Sequence, residues 1–204
     1  MQTAYIGMGA NLTSPAGPPD TTLAAAAARL ASLGRLTRRS SLYSTCPVGF
    51  AAQPRFFNAA VALETSLTPR SLLDSLLQIE LEFGRDRASG FQNGPRTLDL
   101  DILLFASVII REPGLEIPHP HLAERAFVLF PLIEIAPSVI DPRSGKTVTQ
   151  LFQSLQSVSE SAPDAVVQME SEVWRCDANR DLLGPGDLLR TNPCDSDADD
   201  HPHG

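Results

Sequence analysis

The run TLDLDILLF at residues 97–105 constrains this chain more than any other segment. It is a short aliphatic run preceded by a polar loop with glycines, which reads as a β-strand. Leu98, Leu100 and Ile102 alternate with Asp99 and Asp101. Residues i and i+2 of a strand point to the same side, so two carboxylates with Cα atoms about 7 Å apart share one face while the aliphatics face a core. Two neighbouring anions are unfavourable unless a cation lies between them. An ordinary exposed strand face also carries Asp, and the DxD spacing taken alone is a weak motif. The segment nonetheless calls for a sheet with one face left open here.

The rest of the 204 residues supplies the partners of that strand. Residues 3–9 form a short apolar run closed by Gly9 and Asn11. Asp20, Thr21 or Thr22 can cap a helix through LAAAAARLASL, stopped by Gly34. Residues 36–45 and 56–65 read as strands flanking a loop, 46–55, that holds Pro47, Gly49 and Pro54. Thr68-Pro69 is a helix start; Leu72, Leu73, Leu76, Leu77 and Glu80 share one helical face, and Gly84 is the stop. A proline-punctuated segment, 113–121, leads to a short helix near 122–126 and the apolar stretch FVLFPLIEI. The order β-α-β-β-α-β is the split βαβ pattern of a ferredoxin-like sheet. The expected class is therefore α+β: an antiparallel-rich sheet with helices packed on it in three αβα layers. The expected domain is 1–158, with 159–204 an acidic, largely disordered extension.

Charge and composition remove several function classes. The chain carries 16 Lys plus Arg against 24 Asp plus Glu, a net charge of −8. The imbalance lies after residue 150, where only Arg175, Arg180 and Arg190 are basic, so the body is neutral and unsuited to wrapping a nucleic-acid backbone. Lys146 is the only lysine, and no glycine-rich segment ends in Lys-Ser or Lys-Thr. A Walker-type phosphate loop is thus excluded, and phosphate chemistry must rest on arginine, backbone amides and metal. Cys46, Cys176 and Cys194 are too dispersed for a disulfide framework or a CxxC metal site. With no signal-peptide pattern and no 18-residue apolar span, the expectation is a cytoplasmic monomer that acts on small molecules, away from membranes and nucleic acids.

Several other residues look chemically expensive. Arg85, Arg87 and Arg96 flank the loop before the two-Asp strand, and Arg125 follows the His119 segment. Charge clusters are usually solvated loop faces. Arginine, however, matches phosphate oxygens bidentately and keeps its charge, so an anion site beside a two-Asp Mg²⁺ site suits a nucleoside triphosphate. Glu80 on a leucine face needs either a structural ion pair or a ligand. His119 lies in IPHPH, where prolines fix the backbone, although a lone His is more often structural. Asn58 stands inside an apolar strand and needs hydrogen-bond partners; Phe56, Phe57 and Phe127 lie next to loops. A flat heterocycle would supply stacking and edge partners together, whereas Phe57 reads as core.

Taken together, these pieces resemble one family. GPRTLDLDILLF (94–105) is similar to the signature of the 6-hydroxymethyl-7,8-dihydropterin pyrophosphokinases of folate biosynthesis. The likeness extends through YIGMGANL, LYSTCPVG, FFNAAVALET, IELEFGR and IPHPHLAERAFVLFPLIEIAP, covering about residues 4–140. The resemblance implies transfer of the β,γ-pyrophosphate of ATP to a pterin hydroxymethyl group, with release of AMP and use of two Mg²⁺. It implies Asp99 and Asp101 as ligands of both metals, with Arg85 and Arg96 beside them as catalytic residues. It places Glu80, Arg85, Arg87, Arg96, Ile102, His119 and Arg125 at ATP, and Thr45, Val48, Phe56, Asn58 and Phe127 around the pterin. Gln92-Asn93 stand where family members often carry Arg-Trp, and Pro120 where an aromatic is frequent. These departures keep open a non-catalytic nucleotide- or pterin-binding module on the same fold. Loops 46–55 and 85–95 are the expected lids.

Overall fold

A computed structural model describes residues 1–47, 49–50, 52–86, 94–158 and 166–174. The elements are β1 (Gln2–Ala10), α1 (Pro19–Leu30), β2 (Arg35–Arg39), β3 (Leu42–Thr45), β4 (Phe56–Thr65), α2 (Pro69–Glu82), β5 (Asp99–Phe105), β6 (Ile110–Glu112), β7 (Leu115–Ile117), α3 (Ala126–Ile135), α4 (Val148–Val158) and β8 (Val167–Met169). The main sheet runs β5-β1-β4-β3-β8, with β2 also on β4, and every pairing is antiparallel. β1, α1, β2 with β3, β4, α2 and β5 make up the expected split βαβ arrangement. β6 and β7 form a separate hairpin.

The two faces of the sheet are covered differently. Ile6, Met8, Val61, Leu63, Leu100 and Ile102 pack against Leu23, Ala27 and Leu30 of α1 and Leu72, Leu76 and Ile79 of α2. On the opposite face Ala60, Ala62, Leu103 and Leu104 meet Val128, Leu129 and Leu132 of α3 and Leu151 of α4. A β-bulge serves this division: Tyr5 pairs with Leu104 and Ile6 with Ile102, so Leu103 is the extra residue. Leu103 and Leu104 therefore both join the α3 layer, while Leu98 and Leu100 keep to the other.

Several local readings need correction. The segment 36–45 is two strands, because the chain breaks pairing at Ser40-Ser41, where Ser40 Oγ binds Ser41 O and accepts from Ala60 N. α1 has no side-chain cap; it starts at Pro19 behind Pro18, with proline pre-setting the first turn. Gly34 is required for space, since a Cβ there would lie 2.2 Å from Glu64 O. Residues 121–124 are a turn, and the helix is the apolar stretch itself, α3, with Pro131 inside it. Thr68 does cap α2, accepting from Ser71 N, and Gly84 ends it at φ 79°.

The expected boundary after residue 158 also needs amendment. Residues 166–174 return to the sheet: β8 pairs with β3, Ser171 Oγ binds Asp20 Oδ2, and Trp174 is buried with its indole N–H donated to Ser40 O. The Arg39 guanidinium lies 4.0 Å from the Trp174 ring centroid. The isolated tryptophan in an acidic stretch gave no periodic signal, so its core role was not legible.

Candidate functional site

β5 carries Asp99 and Asp101 on the face that α3 covers only further along the strand. Their partners in β1 are Gly9 and Gly7. These glycines leave the strand surface bare: a Cβ on Gly9 would come 3.3 Å from Asn58 Oδ1, and one on Gly7 3.2 Å from the Leu103 side chain. Asn58, Gly9 and Asp99 therefore line one continuous face across β4, β1 and β5. Sequence reasoning took Gly9 only as a strand terminator, although β1 runs on to Ala10, and passed over Gly7; the signal of the pair was their i, i+2 spacing in register with the acids.

The two carboxyls have different surroundings. Asp99 Oδ2 accepts from Arg96 Nη1 at 2.6 Å, and its Oδ1 lies 3.4 Å from Arg85 Nη2. Asp101 is pushed up to about 7, first by burial, then by the charges of Asp99 and Glu80; Arg125 and Arg96 pull it partly back. A carboxyl that holds a proton near neutrality for these reasons is one that a cation would discharge. The donor set, two carboxylates on one strand, fits Mg²⁺, which takes one or two protein carboxylates and fills its octahedron with water and phosphate oxygens.

Glu80 supports this strand from the edge. It is fully buried, and its Oε1 accepts from Leu100 N at 2.8 Å, an amide on the outer side of β5 between the two acids. The expected choice between structural partner and ligand thus finds a backbone partner. Its own carbonyl accepts from Arg85 N at 2.9 Å, which fixes the start of the arginine loop. Arg87, together with Gln92-Asn93, lies outside the described residues.

His119 follows the β6–β7 hairpin. Its backbone N–H donates to Leu103 O at 2.9 Å, and its Nδ1 accepts from His121 N at 3.1 Å. Burial and the nearby Arg125 hold the imidazole down at about 4, so it is neutral at physiological pH. With Nδ1 accepting, the proton belongs on Nε2. Asp101, Ile102, Leu115, Glu116, His119 and Leu73 line a cavity of about 340 Å³. Arg125, the residue before α3, has its guanidinium 5.6 Å from the Phe127 ring centroid.

The amide and aromatic residues lie toward β3. Asn58 is buried and donates from Nδ2 to Thr45 Oγ1 at 2.9 Å. Phe56 is half-buried, with Arg96 5.4 Å from its ring centroid. Phe57 points the other way, into the α1–α2 core, as expected. Val48 lies outside the described residues. Asn11, which sequence reasoning treated as a strand terminator, joins the parts. Its Oδ1 accepts from Arg96 N at 2.7 Å, and its Nδ2 donates to Gln53 Oε1 at 3.0 Å and Pro54 O at 3.1 Å. One buried amide thereby ties the Arg96 segment to the end of the 46–55 loop.

Residues 5–137 match the family model for 7,8-dihydro-6-hydroxymethylpterin-pyrophosphokinase. The chain belongs to this family. The pyrophosphokinase family also includes the 2-amino-4-hydroxy-6-hydroxymethyldihydropteridine pyrophosphokinase of Pseudomonas aeruginosa, 47% identical over 152 residues, or 74% of this chain and 91% of that one. The enzyme of the same name from Haemophilus influenzae is 42% identical over 155 residues, 75% of this chain and 92% of that one. Among solved structures, a crystal structure of HPPK-DHPS in complex with substrates aligns with a TM-score of 0.63 at 15% identity, covering 82% of this chain and 48% of that one. The Plasmodium falciparum HPPK-DHPS with SDX-DHP gives 0.58 at 16% identity, covering 78% and 44%. The chain thus spans a little under half of these two solved chains, and at such identities they show the family's fold alone.

Proposed function

We propose that the protein transfers the β,γ-pyrophosphate of ATP to the hydroxymethyl oxygen of 6-hydroxymethyl-7,8-dihydropterin and releases AMP, a step of folate biosynthesis. The observation that carries this reading is the shared face on which Asp99 and Asp101 stand between an arginine cluster and an amide–aromatic pocket. Relatives over 40% identical bear this activity in their names, which favours catalysis over a non-catalytic binding module.

In this reading the cavity beside Asp101 and Ile102 takes the nucleotide, and the phosphate chain runs across the strand face toward Phe56. Asp99 and Asp101 hold Mg²⁺, two ions in the full complex. Bound there, the metal supplies charge neutralisation and alignment of the triphosphate. Arg85, Arg87, Arg96 and Arg125 neutralise the remaining phosphate charge, and neutral His119 offers an Nε2–H donor without repelling the arginines. Glu80 holds β5 at the height the acids need. Thr45, Val48 and Asn58 read the pterin edge, while Phe56 and Phe127 supply the stacking faces. The pterin oxygen attacks the β-phosphorus, the bond from that phosphorus to the bridging oxygen breaks so that AMP leaves with that oxygen, and the hydroxyl proton passes to solvent. Catalysis is mostly positioning plus fixed positive charge.

We read the protein as a cytoplasmic monomer that acts on small molecules alone; among the described residues no helix is long and apolar enough to cross a membrane. Incubation with Mg-ATP and the hydroxymethyl pterin, followed by chromatography of nucleotides, tests the activity. Stoichiometric AMP and pterin pyrophosphate support it; ADP as product, or ligand binding without AMP, overturns it.

A further inference from the structure

We propose that Arg143 is a positioning residue for the nucleotide side of the site, acting through His119 and Glu116. This rests on the functional reading above. Arg143 lies beyond the residues that match the family model, in a turn bracketed by the Ile140–Thr147 bridge. The turn is built around buried Asp141. Asp141 Oδ1 accepts from Arg143 N at 3.0 Å, its Oδ2 from Ser144 Oγ at 2.7 Å, and its carbonyl from Gly145 N at 2.8 Å. An Asp at the first position of such a turn fixes the backbone of the next residues. The Arg143 side chain therefore leaves from a defined point.

Its guanidinium then reaches two residues of the cavity wall. Nη2 donates to His119 O at 2.8 Å, and Nη1 lies 3.5 Å from Glu116 Oε1. Nε stays 3.9 Å from Asp141 Oδ1, which restrains the plane of the group. The effect on His119 is specific. Leu103 O holds its N–H, and His121 N holds Nδ1. Arg143 holds its carbonyl, which leaves Nε2 as the ring atom available to a ligand in the cavity. Glu116 is similarly oriented, with Arg111 Nη2 3.4 Å from the same Oε1. A planar fork holds the carbonyl and the carboxylate in one fixed plane, whereas a lysine ammonium on a flexible stem orders them less.

The test uses the full chain with Arg143→Ala and Arg143→Lys. Calorimetry measures binding of Mg²⁺ with a non-hydrolysable α,β-methylene ATP, without pterin. Steady-state assays measure both KM values and kcat. Arg143→Ala is expected to weaken the analogue about tenfold and to raise the KM for ATP similarly, by loss of a charge-assisted bond and of the wall's order. The pterin KM should stay within about twofold, since Thr45, Asn58 and Phe56 are untouched. Arg143→Lys should recover less than half of the loss on a logarithmic scale. Wild-type affinity in Arg143→Ala, equal losses for both substrates, or full rescue by lysine overturns the proposal. Should Arg143→Ala unfold, Glu116→Gln is measured instead; an unchanged analogue affinity there overturns it as well. If the wild-type protein neither binds the analogue nor releases AMP, the functional reading has failed and this inference falls with it. If the wild type does both, the variants judge Arg143 alone.

Discussion

The two faces of one sheet follow opposite rules. Under α1 and α2 the face is almost entirely apolar, from Phe57 to Phe105, with Ile6, Leu63 and Leu100 almost wholly buried. Under α3 the same strands bury Ala60, Ala62 and Leu103, then change to Asn58, Gly9, Asp99 and Asp101, where α3 ends and the site begins. The first face is optimised for burial. The second holds a carboxyl whose charged form is disfavoured until a ligand arrives, and a strand stripped to glycine. Stability and function are thus separated by less than the thickness of a strand, which neighbouring substitutions can resolve.

The largest effect is expected from Asp101→Ala or Asp99→Ala: a loss of turnover on the order of a thousandfold, with far-UV circular dichroism unchanged. Asp101→Asn sharpens the contrast. Burying a neutral amide beside Asp99 and Glu80 is less costly than burying a third carboxylate, so its Tm at pH 8 should match or exceed that of the wild type while activity disappears. A thermal melt paired with the AMP assay checks both. A lower Tm would show that Asp101 contributes to the fold.

On the other face Leu63→Ala should do the reverse. Leu63 is wholly buried among α1, β1 and β4, so truncation should cost about 2–5 kcal/mol of stability. The kcat of the remaining folded protein should stay within about twofold, because Leu63 packs into the α1–α2 core, on the opposite face of the sheet from Asn58 and Asp99. Urea unfolding and assays below the transition test this. A kcat that falls in step with stability would mean that the two faces are mechanically coupled.

Asn11→Ala probes the seam between them. It removes two donated bonds to the 46–55 loop and one accepted from Arg96 N. About a tenfold fall in kcat/KM for the pterin is expected, as each net hydrogen bond is worth about 1 kcal/mol and the loop retains other anchors. Gln53→Ala should give a smaller loss of the same sign.

How much of this was legible in the chain follows the same division. Period-two alternation exposed Asp99, Asp101 and Asn58, because each interrupts an aliphatic strand and a lone polar group in such a run demands a reason. The same logic exposed α2, with its Thr68 cap and leucine stripe. The α3 layer was less legible: FVLFPLIEI is apolar all round, and Pro131 inside it argues against the helix it forms. The bulge at Leu103 was invisible, since two adjacent leucines look alike whichever face they take. Asn11, the two glycines and Arg143 were missed for a common reason. Asn11 and Arg143 act on the backbone of another segment and the glycines clear space for neighbouring strands, and relations of that kind exist only once the chain is folded.

The dependence of metal affinity on pH takes its sign from Asp101. The group is raised to about 7 by its burial and its acidic neighbours, so below that pH its carboxyl is protonated and must release a proton before it can bind Mg²⁺. Apparent Mg²⁺ affinity should therefore rise by up to about tenfold per pH unit from pH 5.5 to 7 and level off above. The empty fold has the opposite slope. A carboxyl raised from 3.8 binds its proton more tightly folded than unfolded, so this group's contribution to stability is lost as pH climbs through 7. His119, held at about 4, adds little to either slope over this range because it stays neutral. Titrating Mg²⁺ by calorimetry at pH 6, 7 and 8, with proton release read from buffers of different ionisation enthalpy, tests the linkage. A pH-independent affinity with no proton released would show that Asp101 is already charged before metal binds, and the contrast between the two faces would then rest on shape alone.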